Sequence, residues 1–150
     1  MADERIPLDA TDAIQVADSV REWINGLNIL PGYLWPEYVE DDPNGYGYCL
    51  KTDGGEVLEL DILGNYTASV PFTVYYTYNH IPGVGTAYKP LNDLAAWFRS
   101  NGVDGLDIGP RRTPQEITML TGPIDMYGKN ADNDVTFLIR FQLTFEEEAL

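Results

Sequence analysis

From Tyr66 to Asn79 the chain reads YTASVPFTVYYTYN, and this run constrains the fold more than any other segment. Tyr66, Ala68, Val70, Phe72, Val74, Tyr76 and Tyr78 fill its even positions. Thr67, Ser69, Pro71, Thr73, Tyr75, Thr77 and Asn79 fill the odd ones. A period of two predicts a strand buried on one face, because successive side chains leave a pleated backbone on opposite sides. At ~3.3 Å per residue it spans roughly 45 Å, which is long for 150 residues. Pro71 has no N–H for a ladder, so the strand is expected to be an edge, bent, or split there.

A second alternating run, DVTFLIRFQLTF over 134–145, sets Val135, Phe137, Ile139, Phe141, Leu143 and Phe145 on one face, with Leu138 the exception. Residues 46–51 and 56–62 are strand candidates, read as a hairpin around Thr52-Asp53-Gly54-Gly55, with Leu58, Leu60 and Ile62 facing one way. A strand at 113–120 leads through Thr121-Gly122-Pro123 to a weaker one at 124–127. Ala13, Val16, Ala17, Val20, Trp23, Ile24 and Leu27 recur at helical spacing and predict a helix over 12–26. Asp12 is its expected cap, with Gln15 in the capping-box relation and Asn25-Gly26 as the stop. A second helix is predicted over about 90–101, opened by Pro90 and closed by Asn101-Gly102. Residues 28–47 read as a loop or short strands. No β–α–β alternation is present, so the fold class is α+β: a mostly antiparallel sheet of long strands with two main helices packed on it. The reading is one domain over 1–150, with a leader at 1–10 and an acidic tail at 146–150.

Nine Lys and Arg against twenty-four Asp and Glu give a net charge of −15. Such a chain is a poor nucleic-acid reader, since affinity begins with cationic contacts to phosphates, and it is repelled by anionic membranes. No apolar run is long enough to span a membrane, and no N-terminal signal is expected after Met1-Ala2-Asp3-Glu4. Cys49 and His80 are the only residues of their types, which excludes an internal disulfide, a cysteine zinc site and a multi-His centre. Ser19, Ser69 and Ser100 lie in no nucleophile context. Cys49 lies within a predicted strand and reads as a structural thiol rather than half of a dyad with His80. Gly83-Val84-Gly85 lacks the third glycine of a dinucleotide fingerprint and reads as a loop hinge. Asp42, Asn44, Gly47 and Asp53 imitate a calcium loop, but Tyr46 and the strand-like flanks do not fit one. No catalytic residue, metal or cofactor is assigned.

Between Ile62 and Tyr88 there is no Asp, Glu, Lys or Arg. Charge depletion with enriched tyrosine is the composition of interface cores, whereas simple burial in the monomer is the rival reading. The polar odd positions of the long strand argue against complete burial. Self-association is therefore expected through Thr73, Tyr75, Thr77, Tyr78, His80 and Tyr88. Arg111-Arg112, the one basic doublet, reads either as a contact for a phosphate or an acidic partner surface or as a solvated loop pair. Trp35, with Tyr33 and Tyr38, is a second candidate contact surface or else covers the sheet.

This layout resembles the tail terminator (minor capsid, tail completion) proteins of long-tailed bacteriophages and prophages. The resemblance rests on chain size, the helix 12–26, the aromatic strand 66–79 running into a glycine loop, the helix at 91–100, and the final strand FLIRFQLTF followed by acidic residues. It implies a non-catalytic α+β protomer without cofactor, acting in the virion after assembly in the host cytoplasm. Such a protomer forms a homo-hexameric ring that caps the tail tube protein and meets the head-completion protein, while DNA passes through unread. The acidic charge suits a lumen that repels phosphates. Two other readings stay open: a neighbouring head–tail connector or tail-adaptor component, and a small acidic enzyme or ligand-binding α+β domain with a pocket near Tyr75, Tyr76 or His80.

Overall fold

In the computed structural model, residues 6–36, 47–79, 89–125 and 134–149 are described, with backbone alone at 78–79, 123–125 and 134–136. The order is β1 (Ile6–Pro7), α1 (Ala10–Leu27), β2 (Leu34–Pro36), β3 (Gly47–Thr52), β4 (Glu56–Leu60), β5 (Tyr66–Asn79), α2 (Lys89–Asn101), β6 (Arg112–Asp125) and β7 (Asp134–Glu147). The strands form one seven-stranded sheet, antiparallel except where β2 runs parallel to β3, and the fold is α+β.

β5 is not an edge. It pairs with β7 from Tyr66↔Glu147 to Asn79↔Asp134, and on its other side with β3 (Gly47↔Thr77 to Thr52↔Phe72) and β4 (Glu56↔Ser69 to Leu60↔Tyr66). Pro71 falls between the last β3 pair and the first β4 pair. Its carbonyl accepts from Thr52 Oγ1 at 2.7 Å, and its ring nitrogen points to that same gap, where no ladder donor is needed. The expected hairpin around Gly54-Gly55 is also corrected: β3 and β4 run in the same direction, end to end along β5. Gly55 lies so close to β5 that a Cβ there would stand 2.6 Å from the Ser69 carbonyl oxygen. The reversal lies instead at Asp61–Asn65, between β4 and β5. β6, expected as two pieces, is one strand along β7 with three register shifts, including those on either side of Thr121.

Helix α1 starts earlier than predicted. Asp9 is its cap, accepting from the Thr11 N–H at 2.8 Å, and Asn28 in the left-handed conformation ends it after Leu27. Both helices lie on one face. Val16, Val20 and Ile24 of α1 and Leu91, Leu94, Ala95 and Phe98 of α2 share one core with Val70, Phe72 and Val74 of β5 and Ile139, Phe141 and Leu143 of β7. Phe98 packs on Phe141 at 4.8 Å and Trp23 stacks on Phe98 at 5.6 Å, so the helices touch over the sheet. The residues read as a leader supply β1, buried Leu8 and the helix cap; those read as a tail end β7 with Glu147 nearly buried.

Candidate functional site: the reverse sheet face and its apolar rim

Among the described residues both helices pack on the even face of β5, and no helix packs on the odd face. Thr73, Tyr75 and Thr77 lie on that reverse face, half-buried, in register with Lys51, Cys49 and Gly47 of β3 and with Arg140, Leu138 and Thr136 of β7. The face is largely polar: Thr113 and Thr118 of β6 continue it beyond Glu146 and Gln142 of β7. Leu138 is the apolar member, buried opposite Tyr75 and outside the main core. The structure thus brings Thr73, Tyr75 and Thr77 together on one surface. Tyr78 continues the strand by its backbone, while His80 and Tyr88 lie outside the described residues. Cys49 is half-buried on this face, its thiol pushed up to about 11 by burial, so it is held as a neutral thiol.

Charge depletion is not a sign of covering throughout. Ile62 is 102% and Leu63 74% exposed at the tip of the β4–β5 turn, and Leu58 and Leu60 beside them are also exposed. A bulge between Val57 and Glu59 interrupts the alternation by which Leu58, Leu60 and Ile62 were expected to face one way. The tip is fixed from within. Asp61 Oδ1 accepts from the Leu63 and Asn65 N–H groups at 2.8 and 3.0 Å, and its Oδ2 accepts from Asn65 Nδ2 at 2.9 Å. These bonds, led by that of the Asn65 side chain, hold the Asp61 carboxyl below its usual range. Gly64 turns the chain with φ +91°. β1 pairs only with Glu56 and Val57, which leaves β4 beyond them as a sheet edge among the described residues.

The basic doublet divides. Arg111 is exposed, its Nη1 donating to the Glu148 carbonyl at 3.1 Å. Arg112, expected at a partner contact or in solvent, is instead spent within the chain. Nε donates to Glu147 Oε1 at 2.6 Å, Nη2 to Asp12 Oδ1 and Gln15 Oε1 at 2.8 and 3.1 Å, and Nη1 to the Ile108 carbonyl at 3.3 Å. Asp12 and Gln15, read as the helix cap, are therefore ligands of this guanidinium. Tyr66 donates its hydroxyl to Glu147 Oε2 at 2.6 Å.

Trp35 is half-buried on β2, edge-on to exposed Tyr33 at 4.7 Å; Tyr38 lies outside the described residues. Beside them, α1 and β3 enclose a groove of about 180 Å³. Ile14, Ala17, Asp18 and Arg21 line it from the helix, and Pro36, Leu50 and Thr52 from the strands. Arg21 Nη1 donates to the Tyr33 hydroxyl at 2.6 Å, and Nη2 is 3.9 Å from Asp18. Arg21 Nε is buried with no hydrogen-bond partner among the described residues. Sequence reasoning missed both the groove and the turn tip. The local signals were Ile14, an apolar residue outside the helix stripe, and Ile-Leu in a turn whose geometry asks only for Asp61, Gly64 and Asn65.

Among the described residues no group of three or more His, Cys, Asp or Glu is placed to hold a metal ion, and no helix is long and apolar enough to cross a membrane. No protein-family model matches the chain, and no curated protein matches it.

Proposed function

We propose that this chain is a structural, ring-forming protein of a bacteriophage or prophage virion, one that caps the tail tube and joins it to the head. The observation that carries the reading is the one-sided sheet. Among the described residues a long β5–β7–β6 surface bears helices on one face only, carries half-buried Thr73, Tyr75 and Thr77 on the other, and ends in an exposed apolar turn. Open edges and a half-buried polar sheet face are surfaces for repeated contacts between copies, which close into rings when the rotation fits. The charge of −15 per copy suits a lumen through which DNA passes without sticking.

Light scattering behind a sizing column, over a concentration series with and without magnesium, tests it. The expected species is about 101 kDa, six times 16.8 kDa, with sixfold rings in electron micrographs and rings seated on the ends of purified tail tubes. Thr73→Lys and Thr77→Lys are expected to reduce that mass or abolish seating on the tube. A chain that neither forms rings nor binds tube ends overturns the reading.

A further inference from the structure

We propose that the reverse face of the sheet binds a second copy of this chain, face to face across a twofold axis, as a closed dimer. The pair does not rest on the ring reading. A face that meets its own copy is used up on both partners, so the contact closes at two. It is an alternative use of that face and not a step within the ring.

The charges of this face are sorted along the strands. Lys51 of β3 and Arg140 of β7 flank Thr73 in one cross-strand row. Glu59 of β4 and Glu146 of β7 flank Thr67, six residues or roughly 20 Å away at ~3.3 Å each. Asp53, Glu56 and Glu116 stand between the two rows. Lys51, Arg140, Glu59 and Glu146 are exposed, and none of the four has an ion pair or hydrogen bond among the described residues. One end of the face thus carries free cations and the other free carboxylates.

This pattern is complementary to itself. Thr73 and Thr67 are each three residues from Val70, and β3 and β4 follow one another along the same side of β5. A half-turn about an axis crossing the strands at Val70 sets the Thr73 row of one copy over the Thr67 row of the other. Lys51 then meets Glu59 and Arg140 meets Glu146, and the symmetry doubles each pair. A half-turn about an axis along β5 sets Lys51 over Arg140 instead, like charge on like, so the charges select the first arrangement. Packed sheets lie about 10 Å apart, a gap that long side chains bridge from both sides. Charges are screened over about 8 Å at physiological salt, so these local pairs outweigh the net charge of −15 on each copy.

Near the axis the face is low. Ser69, only 3% exposed, lines a cavity of about 360 Å³ with Gly54, Gly55, Pro71 and Gln142. Asp53 and Glu56 border the same cavity and face their like in the other copy, which opposes pairing. That opposition, on a patch only a few strands wide, places the dimer among weak, transient contacts.

The test is sedimentation equilibrium of the full chain over a concentration series, with circular dichroism melts to show that each variant folds. The parent is expected to give a reversible species of about 34 kDa, twice 16.8 kDa. One variant reverses the basic row, Lys51→Glu with Arg140→Glu, and the other the acidic row, Glu59→Lys with Glu146→Lys. Each alone is expected to pair roughly tenfold more weakly or not at all. Mixed in equal amounts they are expected to regain the 34 kDa species, because every facing pair is again of opposite charge. Asp53→Asn removes a like charge beside the axis and is expected to tighten the parent pair; weaker pairing there overturns the arrangement. A parent with no species of that mass overturns the pair, as do reversed variants that pair like the parent or a mixture that stays monomeric. A parent that pairs as described but neither forms rings nor binds tube ends supports the pair and overturns the ring reading alone.

Discussion

Arg112 Nε and Glu147 Oε1 lie 2.6 Å apart and join the first residue of β6 to the last of β7. Their side chains are only 10% and 11% exposed. The remaining donors of the guanidinium reach Asp12 and Gln15 on α1 and the Ile108 carbonyl, and the other carboxylate oxygen takes the Tyr66 hydroxyl. Four elements are thus locked at one corner by a polar cluster whose members satisfy one another.

Removing one member strands the other in a poorly hydrated place. Glu147→Ala is expected to destabilise the fold by about 3 kcal/mol, the low end for breaking a buried pair. At ~2–4 °C per kcal/mol for a chain of this size, calorimetry should record a Tm lower by about 6–12 °C. Arg112→Met combined with Glu147→Leu should recover much of that loss, since neither charge is then left alone. A single variant that melts like the parent would show the corner to be energetically silent.

Alkaline pH is expected to weaken the fold in two stages. Burial raises Cys49 to about 11, and burial, followed by the hydrogen bond to Glu147, raises Tyr66 well above its ordinary value near 10. Tyr48 and Tyr76 are raised too, chiefly by burial. In each case the folded state holds its proton at a pH where the unfolded chain has released it. The contribution is fully present below the unfolded pKa and is lost as pH rises toward the folded one. Urea midpoints should therefore be flat from pH 7 to 8, decline above the ordinary thiol range as Cys49 contributes, and fall more steeply above pH 10 with the tyrosines. Cys49→Ala should remove the first stage and keep the second.

The parts of the fold legible in the sequence are those set by local periodicity. The alternation of 66–79, the apolar stripes of α1 and α2, and the Asn101-Gly102 stop all depend on neighbours within a few residues. What was misread was decided at long range. Asp12 has the chemistry of a cap, but a guanidinium 100 residues away claims its carboxylate, and Asp9 caps instead. Gly54-Gly55 has the composition of a hairpin turn, yet Gly55 is needed for close approach to Ser69 and Val70, and the chain continues straight on. The candidate site divides in the same way. Thr73, Tyr75 and Thr77 share a face because a strand alternates. The exposure of Ile62 and Leu63 was hidden because an uncharged segment reads as a covered one.

Pro71 illustrates the difference between a strand centre and an unpaired position within it. Its nitrogen faces the gap between β3 and β4, so Pro71→Ala creates no missing ladder bond and relieves none. The expected effect is a small destabilisation, up to about 1 kcal/mol, from the greater freedom of the unfolded chain. Gln142 is the neighbour of Pro71 on β7, where β5 flanks one side and Thr118 of β6 the other. A proline there removes an N–H that has a strand on either side to bond with, leaving an acceptor unpaired at about 1–3 kcal/mol besides the clash of the ring. Gln142→Pro is therefore expected to destabilise severalfold more than Pro71→Ala in urea titrations. Equal losses from the two substitutions would show that the β3–β4 gap does not excuse Pro71 from the ladder.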